Sequence, residues 1–409
     1  MLTFGKKCSK NVSLGGWEQT RMTNVVFPSI DYRKYDQAYV IDVIKKAESC
    51  HLIAPSGVGK SNLLQMIPRE DVRRHHFGNS WDAYLFVMLN PHKLIFLEPS
   101  ALELTGRNWA GYELMLKGLL ETVRPIQHLF ASPDTVVTAE QRINVMDELE
   151  GNYGALLNGN RVGMQSAIRY LEDSVRVILT NQMATWRLVF VFDELEQFFN
   201  QKVLTPIFFQ SLRGLRDDFK KQLMFITVSR NTLEELVEDL ADDKERATAE
   251  SFLELFNDFV WYVRPLDMDS AIEALNEMGR RYGKRLKPET RDQLVRVGGG
   301  HPGIMKRAYL TVAGITGALT DDQLAEVLAA DSGVLRDCSS LLTSLPSAQR
   351  DLLARIARTP DHPYEPEKSV ALTQLVLKGL VDKSRAADGR LVCRITMPVL
   401  AHVLGKQPK

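Results

Sequence analysis

The segment His51-Leu-Ile-Ala-Pro-Ser-Gly-Val-Gly-Lys-Ser-Asn62 joins an apolar run to a helical pattern through a turn that contains two glycines. The apolar residues that end at Ile53 predict a buried strand, and residues 62–67 predict a helix. Between them, Gly57 and Gly59 allow the backbone to curl so that its N–H groups point inward at phosphate oxygens. We therefore predict a phosphate-binding loop between a strand and a helix.

The side chains of this loop indicate a nucleoside triphosphate with its metal ion. Lys60 supplies a mobile positive charge for the β and γ phosphates, and Ser61 offers a hydroxyl group to Mg²⁺. The pattern GxxxxGK[ST] is complete except at its first glycine, which is Ala54 here. We predict ATP and Mg²⁺ as ligands, and a nucleotide contact at Ala54, Pro55, Ser56, Gly57, Val58, Gly59, Lys60, Ser61 and Asn62.

A second apolar run, Leu188-Val-Phe-Val-Phe-Asp193-Glu194-Leu-Glu196, ends in acidic residues. If this run is a strand of the same parallel sheet, Asp193 lies at the carboxyl edge beside the phosphate loop. There it can hold the hydration shell of Mg²⁺, while Glu194 can polarise a water molecule for attack on the γ-phosphate. We predict Asp193 as a metal ligand together with Ser61, and Glu194 as a catalytic residue of an ATPase.

A third apolar run, Leu223-Met-Phe-Ile-Thr227-Val-Ser229-Arg230, ends in hydroxyl groups and one arginine. If this strand neighbours the strand that carries the acids, Arg230 or Ser229 would lie near the γ-phosphate and could sense its presence. The alternative is a solvated arginine at the end of a strand. We predict Arg230 as a second catalytic residue.

The order of the apolar and helical segments predicts the architecture. Five apolar runs alternate with helical patterns, which indicates a three-layer α/β fold with a parallel sheet. The stretch from about 98 to 186 is too long for one crossover and predicts a helical insertion. We predict four parts, which are an N-terminal segment 1–45, a P-loop ATPase core 46–265, a helical lid 266–335 and a winged-helix domain 336–409.

The three motifs, in this order, resemble the AAA+ and STAND branches (signal-transduction ATPases with numerous domains) of the P-loop NTPases. Thr227-Val-Ser229-Arg230 is similar to the STAND sensor motif, whose arginine meets the γ-phosphate, and Gly300-His301-Pro302 is similar to the GxP motif of the STAND lid. The resemblance implies that Pro302 packs near the adenine. A winged helix after the lid is also shared with origin-recognition-type AAA+ ATPases. Candidates for an arginine finger that acts across subunits are Arg246, Arg213 and Arg216.

Composition excludes several classes of protein. The chain has 51 Lys and Arg residues in total and 51 Asp and Glu residues in total, so its formal charges balance. No global basic field therefore indicates a nucleic-acid partner. The apolar runs are far shorter than the roughly 20 residues of a membrane span. No secretory signal is visible, and four widely spaced cysteines without a CxxC pair indicate reduced thiols. We therefore expect a cytoplasmic protein without membrane contact.

Two functions remain open at this level. Residues 340–409 carry 11 Lys and Arg against six Asp and Glu, and Lys383, Arg385, Arg390 and Arg394 lie on or beside the predicted wing. In the first function, ATP and ADP switch the orientation of the lid and the winged helix, and the protein assembles with a protein partner or with copies of itself. In the second, the basic winged helix grips duplex DNA, as in a loader or initiator ATPase.

Overall fold

The computed structural model describes residues 28–96, 108–130, 145–158, 164–180, 186–200, 204–238, 243–315, 317–359 and 361–406. The following paragraphs concern these residues. The described part of the chain forms a parallel five-stranded sheet with helices on both faces, followed by a region of helices and one β-hairpin.

The sheet confirms the prediction of a parallel α/β core. Its spatial order is β2-β3-β4-β1-β5, and every neighbouring pair is parallel. Each of the five predicted apolar runs forms a strand, because a strand covered on both faces needs apolar side chains in both directions. The strands are β1 Cys50–Ile53, β2 Tyr84–Leu89, β3 Arg187–Phe192, β4 Leu223–Ser229 and β5 Val260–Tyr262.

Alternation along each strand divides the core into two apolar layers. Phe190 and Phe192 of β3 pack in one cluster, whereas Val189 and Val191 of the same strand pack in the other. Helices cover both layers, which gives three layers in total. The helices of this region are α1 Lys34–Lys45, α2 Lys60–Met66, α3 Glu70–Phe77, α4 Asn108–Val123, α5 Val145–Asn158, α6 Met164–Leu179, α7 Leu195–Asn200, α8 Pro206–Asp218, α9 Leu233–Glu238 and α10 Asp243–Leu253.

The predicted insertion lies between β2 and β3. Its described residues include the helices α4, α5 and α6 and the 3-10 helix Arg124–Phe130, and residues 98–107, 131–144, 159–163 and 181–185 of the predicted stretch lie outside the described residues. Helix α4 packs directly on β2, since a Cβ atom at Gly118 would meet the Val87 side chain at 2.6 Å. This helix therefore covers the sheet and also belongs to the helical segment between the two strands.

The region after the sheet contains helices and one antiparallel hairpin. We call α11 to α15 the helical unit, and the elements from α16 onward the C-terminal unit. The elements are α11 Met268–Tyr282, α12 Pro288–Gly298, α13 Pro302–Gly314, α14 Asp321–Leu328, α15 Ser332–Thr343, α16 Ser347–Arg358, α17 Val370–Leu377, β6 Val381–Arg385, β7 Leu391–Ile395 and α18 Pro398–Lys406.

The two units share one apolar cluster, which includes Leu275 of α11 and Leu400 of α18. Helix α15 runs across positions 335 and 336, where the predicted domain boundary lies. Leu372 belongs to α17, whereas Leu380 lies beyond the end of this helix. Helix α17 ends at Leu377, and Gly379 follows with a φ of +71°, a conformation that glycine adopts at helix ends.

The structure also bears on the predictions about membrane spans and cysteines. Within the described ranges, the structure contains no helix of the length and apolarity that a bilayer crossing needs. Cys50, Cys338 and Cys393 are buried free thiols, and Cys8 lies outside the described residues.

Candidate nucleotide-binding site

Strand order brings the three sequence motifs to one edge of the sheet. Strand β4 lies between β1 and β3, and the register pairs Ile53 with Ser229 and Phe192 with Thr227. All three strands run in the same direction, so the residues that follow them meet at the carboxyl edge. The phosphate loop, the acidic pair and Arg230 therefore surround one location.

The phosphate loop has the backbone that its glycines were predicted to allow. Gly57 and Gly59 have φ angles of +75° and +96°, in the left-handed region, and α2 begins at the next residue, Lys60. Ala54 does not have a positive φ, and its N–H donates to the Ser229 carbonyl at 2.8 Å. Alanine therefore fits at the position where the pattern has glycine.

Lys60 lies between the two acids that follow β3. Its Nζ atom is 3.2 Å from Asp193 Oδ1 and 2.9 Å from Glu194 Oε1. The three side chains are partly buried, so solvent screens these ion pairs less than it would on an open surface. The positive charge predicted for phosphate is thus directly beside the carboxylates predicted for Mg²⁺ and for water.

Glu194 occupies a constrained position among three basic side chains. Its φ of +54° is in the left-handed region, which is uncommon for a residue with a Cβ atom. Burial alone would raise the pKa of the Glu194 carboxyl, but Lys60, Arg230 and His92 outweigh it and the pKa lies below its usual value. His92 Nε2 is 3.3 Å from Glu194 Oε2. Glu194 is therefore a carboxylate at neutral pH and can accept a hydrogen bond.

Arg230 points toward the acids. Its Nη2 atom is 3.6 Å from Glu194 Oε1, and its Nε atom is 3.1 Å from Glu196 Oε1. Glu196 is buried, and burial raises the pKa of its carboxyl above the usual value. The arginine is thus held beside the candidate catalytic carboxylate through a buried partner.

The outer side of the phosphate loop is attached to distant parts of the chain. Three successive carbonyl groups of the loop accept hydrogen bonds. The Ser56 carbonyl accepts from His301 Nε2 at 3.0 Å, and the Gly57 carbonyl accepts from the Gly303 N–H at 3.1 Å. The Val58 carbonyl accepts from the Arg33 guanidinium. Arg33 is itself buried and ion-paired with Asp36 at 2.7 Å. The helical unit and the residue that precedes α1 therefore enclose the loop from behind.

Two serines of the chain after α14 also contact this loop. Ser340 Oγ lies 2.9 Å from Ser56 Oγ, and Ser344 Oγ accepts the Ser56 N–H at 3.3 Å. Helix α15, which contains Ser340, therefore ends against the phosphate loop.

A cavity of about 390 Å³ opens beside the loop between α2, α11 and α13. It is lined by side chains that follow the loop, such as Asn62 and Met66, by Tyr32, and by Pro302 at the start of α13. Its size lies in the range of small-molecule pockets. The structure thus places Pro302 in the wall of a cavity next to the loop.

The three arginines considered as fingers have internal contacts. Arg216 is buried and donates to the Ala47 carbonyl at 2.8 Å, while Arg213 pairs with Asp217 at 3.1 Å. Arg246 pairs with Asp243 at 3.2 Å. Arg216 lies near the amino end of β1, opposite the edge that carries the phosphate loop.

Sequence reasoning missed four residues of this site. Arg33 lies in a segment without any motif, and His92 follows β2 without a recognisable pattern. Glu196 was quoted in the acidic motif without a role. His301 was part of the GxP-like motif, which could have indicated it, but only the fold brings its side chain to Ser56.

The comparisons with known proteins concern the fold. No family model and no curated protein matches the sequence. The structure is similar to a Walker-type ATPase of Pyrococcus abyssi, with a TM-score of 0.50 and 16% sequence identity over 91% of this chain and 95% of that chain. Drosophila ORC bound to DNA aligns at 13% identity over 99% of this chain and 97% of that chain, but its TM-score of 0.39 is too low to indicate a shared fold. The chain therefore has an α/β fold of the P-loop type.

Proposed function

We propose that this protein binds and hydrolyses ATP with Mg²⁺ and acts as a molecular switch. The proposal rests chiefly on one observation, which is that the phosphate loop, the acidic pair and Arg230 meet at one edge while the loop is bonded to the helical unit. A nucleotide at this edge would contact both the sheet and the parts of the chain that follow it.

The residues around the loop fit a nucleoside triphosphate with its metal ion. The two left-handed glycines form an anion cradle, and Lys60 supplies the charge at its rim. Ser61 and Asp193 are the residues that would hold Mg²⁺, which proteins bind through few side chains together with substrate phosphates. When bound, Mg²⁺ would neutralise charge on the phosphates. The cavity at Pro302 would take the base.

In the hydrolysis step, Glu194 orients the attacking water molecule. Its lowered pKa keeps it as an acceptor, so a water molecule can donate to Glu194 Oε1 or Oε2 and turn its lone pair toward the γ-phosphorus. Phosphate would compete with the acids for Lys60, which releases Glu194 from the contact seen at 2.9 Å. Arg230 stabilises the charge on the γ-phosphate from the neighbouring strand.

The switch is the response of the helical and C-terminal units to the nucleotide. We propose that the helical unit is a lid and that α16, α17, α18 and the β6–β7 hairpin form a winged helix. Asn231, next to Arg230, accepts a hydrogen bond from Lys378 Nζ at 3.1 Å, and Lys378 is fully buried at the end of α17. A displacement of Arg230 by phosphate would therefore reach the C-terminal unit through one residue. The new orientation would govern assembly with a protein partner or with copies of the chain.

Contact with duplex DNA is the second candidate function. Lys383, Arg385, Arg390 and Arg394 are all exposed on the β6–β7 hairpin, where phosphate contacts are accessible. However, α17 contains no Lys or Arg, and the lysine that follows it is directed into the core. Of α17 and the hairpin, only the hairpin therefore offers basic side chains to the DNA phosphate backbone.

ATP turnover with and without duplex DNA, at two salt concentrations, separates the two candidates. The switch predicts slow turnover that does not respond to DNA. Stimulation that declines as salt increases would favour the second candidate, because counterion release makes phosphate contacts salt-dependent. No turnover and no ATP binding under any condition would refute both.

A further inference from the structure

The three hydrogen bonds on the outer side of the loop have a consequence for its inner side. In a trans peptide unit, the carbonyl of one residue and the N–H of the next point in opposite directions. The Ser56 carbonyl is directed at His301, so the Gly57 N–H of the same unit is directed inward. The bond from Arg33 to the Val58 carbonyl does the same for the Gly59 N–H. The outer partners thus set which way the phosphate-facing donors point.

His301 is the outer partner whose side chain has two separable functions. Its Nδ1 atom accepts the N–H of Ile304 at 3.3 Å, which caps the start of α13. Since Nδ1 accepts, the proton of a neutral imidazole is on Nε2, and this group donates to the Ser56 carbonyl at 3.0 Å. One ring therefore connects the first turn of the helical unit to the phosphate loop.

The fit between these two segments leaves little room for a Cβ atom on either side. A Cβ atom at Gly57 would lie 2.7 Å from His301 Cε1, and a Cβ atom at Gly303 would lie 3.3 Å from the Gly57 carbonyl oxygen. Residues 301–303 thus pack closely against the back of the loop. Gly300 is confined by a different neighbour, since a Cβ atom there would lie 2.2 Å from the Leu266 carbonyl oxygen.

We propose that His301 is a positioning residue of the nucleotide site, which orients the Gly57 N–H toward phosphate by holding the Ser56 carbonyl outward, so that tight nucleotide binding requires the helical unit to be docked. This inference rests on the proposed nucleotide binding. Because coupling between two sites is reciprocal, bound nucleotide also strengthens the docking of α13.

Burial supports the hydrogen-bond pattern of His301. The side chain is almost inaccessible, and the pKa of its imidazole is lowered to about 4, chiefly by burial and also by Arg33, while the hydrogen bond to the Ser56 carbonyl opposes the shift. The ring is therefore neutral at physiological pH and keeps one donor and one acceptor. Among the described residues, Arg33 is the charged group that acts on this ring most directly.

Two substitutions separate the two functions of the ring. His301→Asn places an amide oxygen near the position of Nδ1, so it retains the cap of α13 but does not reach Ser56. His301→Gln places an amide N–H near the position of Nε2, so it reaches Ser56 but loses the cap. Thr320→Ala is a matched control, because it removes the side-chain cap of α14 in the same unit, at a residue that is not among the partners of the phosphate loop.

The readouts are the dissociation constant of a fluorescent ATP analogue with Mg²⁺ and the Tm without nucleotide. We expect His301→Asn to weaken binding about five- to tenfold, as for one lost hydrogen bond, with a Tm no lower than that of His301→Gln. His301→Gln and Thr320→Ala should bind nearly as tightly as the wild type at a lower Tm.

The inference is overturned if His301→Asn binds as tightly as the wild type, or if affinity follows Tm across the three variants. It is also overturned if His301→Gln folds and binds as weakly as His301→Asn. A wild type that binds no ATP analogue would instead refute the proposed function, which is a different outcome.

Discussion

The inner and outer sides of the phosphate loop differ in where their residues come from. On the inner side, Lys60 and the acids belong to compact motifs, each within a few residues of a strand end. On the outer side, the partners of Ser56 and Val58 lie 245 and 25 positions away in the chain. The difference indicates that the chemistry of the loop is local, whereas its shape depends on long-range docking.

The largest expected effect is on the inner side. Lys60→Ala removes the charge that faces phosphate, and we expect ATP affinity to fall by about 100-fold or more. Isothermal titration calorimetry with Mg·ATP measures this loss, and Lys406→Ala, at an exposed site in α18, is the control. Unchanged affinity in Lys60→Ala would contradict the location of the site.

A second variant separates binding from chemistry on the same side. Glu194→Gln retains the shape of the side chain but cannot act as a carboxylate, so we expect turnover to fall by roughly 100-fold or more while ATP binding persists. Phosphate release in single-turnover experiments measures the step. Normal turnover would remove Glu194 from the mechanism and leave the inner side with a binding function alone.

A smaller effect is expected where the two sides meet. Gly57→Ala adds a Cβ atom at a φ of +75° and against the His301 ring, so we expect ATP affinity to fall about tenfold and stability to fall by about 1–3 kcal/mol. Gly214→Ala, in α8, is the matched control, because a Cβ atom there meets nothing within 4 Å. That control should gain up to about 1 kcal/mol of stability. Equal behaviour of the two alanine variants would show that the outer contact does not constrain the loop.

The smallest effect is a pH dependence of the outer side. Burial lowers the pKa of both His51 and His301 to about 4, while an unfolded histidine titrates near 6.5. Between these values the unfolded chain binds more protons, so the free energy of unfolding should fall as the pH decreases from about 6.5 to about 4.

Denaturant titrations across this range measure the slope in the wild type and in His301→Asn. The slope should be shallower in the variant, and the remainder should include the contribution of His51. Identical slopes would mean that the His301 ring does not resist protonation in the folded protein.

The features on the inner side of the loop could be predicted from the sequence, whereas those on the outer side could not. Apolar runs with acids or glycines at their ends are local signals, so the strands, the phosphate loop and the location of Asp193 and Glu194 were predictable. The proximity of Arg230 to Glu194 was predictable only on the condition that β4 adjoins β3, which the structure meets. The catalytic and binding roles of these residues stay predictions.

What could not be predicted depends on docking between distant elements. Arg33 lies in no recognisable sequence motif, and it contributes to the site by donating a hydrogen bond to the Val58 carbonyl. The burial of Lys378 could not be predicted either. Lys378 is one of the 11 basic residues of 340–409, but its side chain forms hydrogen bonds with Asn231 and Gln349 inside the protein. Helix α15 also spans the predicted domain boundary at positions 335 and 336, and its buried side chains pack in the apolar cluster that the two units share.

Hydrogen–deuterium exchange of the full chain with and without Mg·ATP would show whether nucleotide at the loop is coupled to the helical unit, because exchange reports local opening. If the loop binds nucleotide and its outer side is held by the helical unit, ATP should slow exchange both at residues 54–62 and at the first turn of α13. Protection of the loop without any change at residues 301–305, or protection at neither segment, would contradict this coupling.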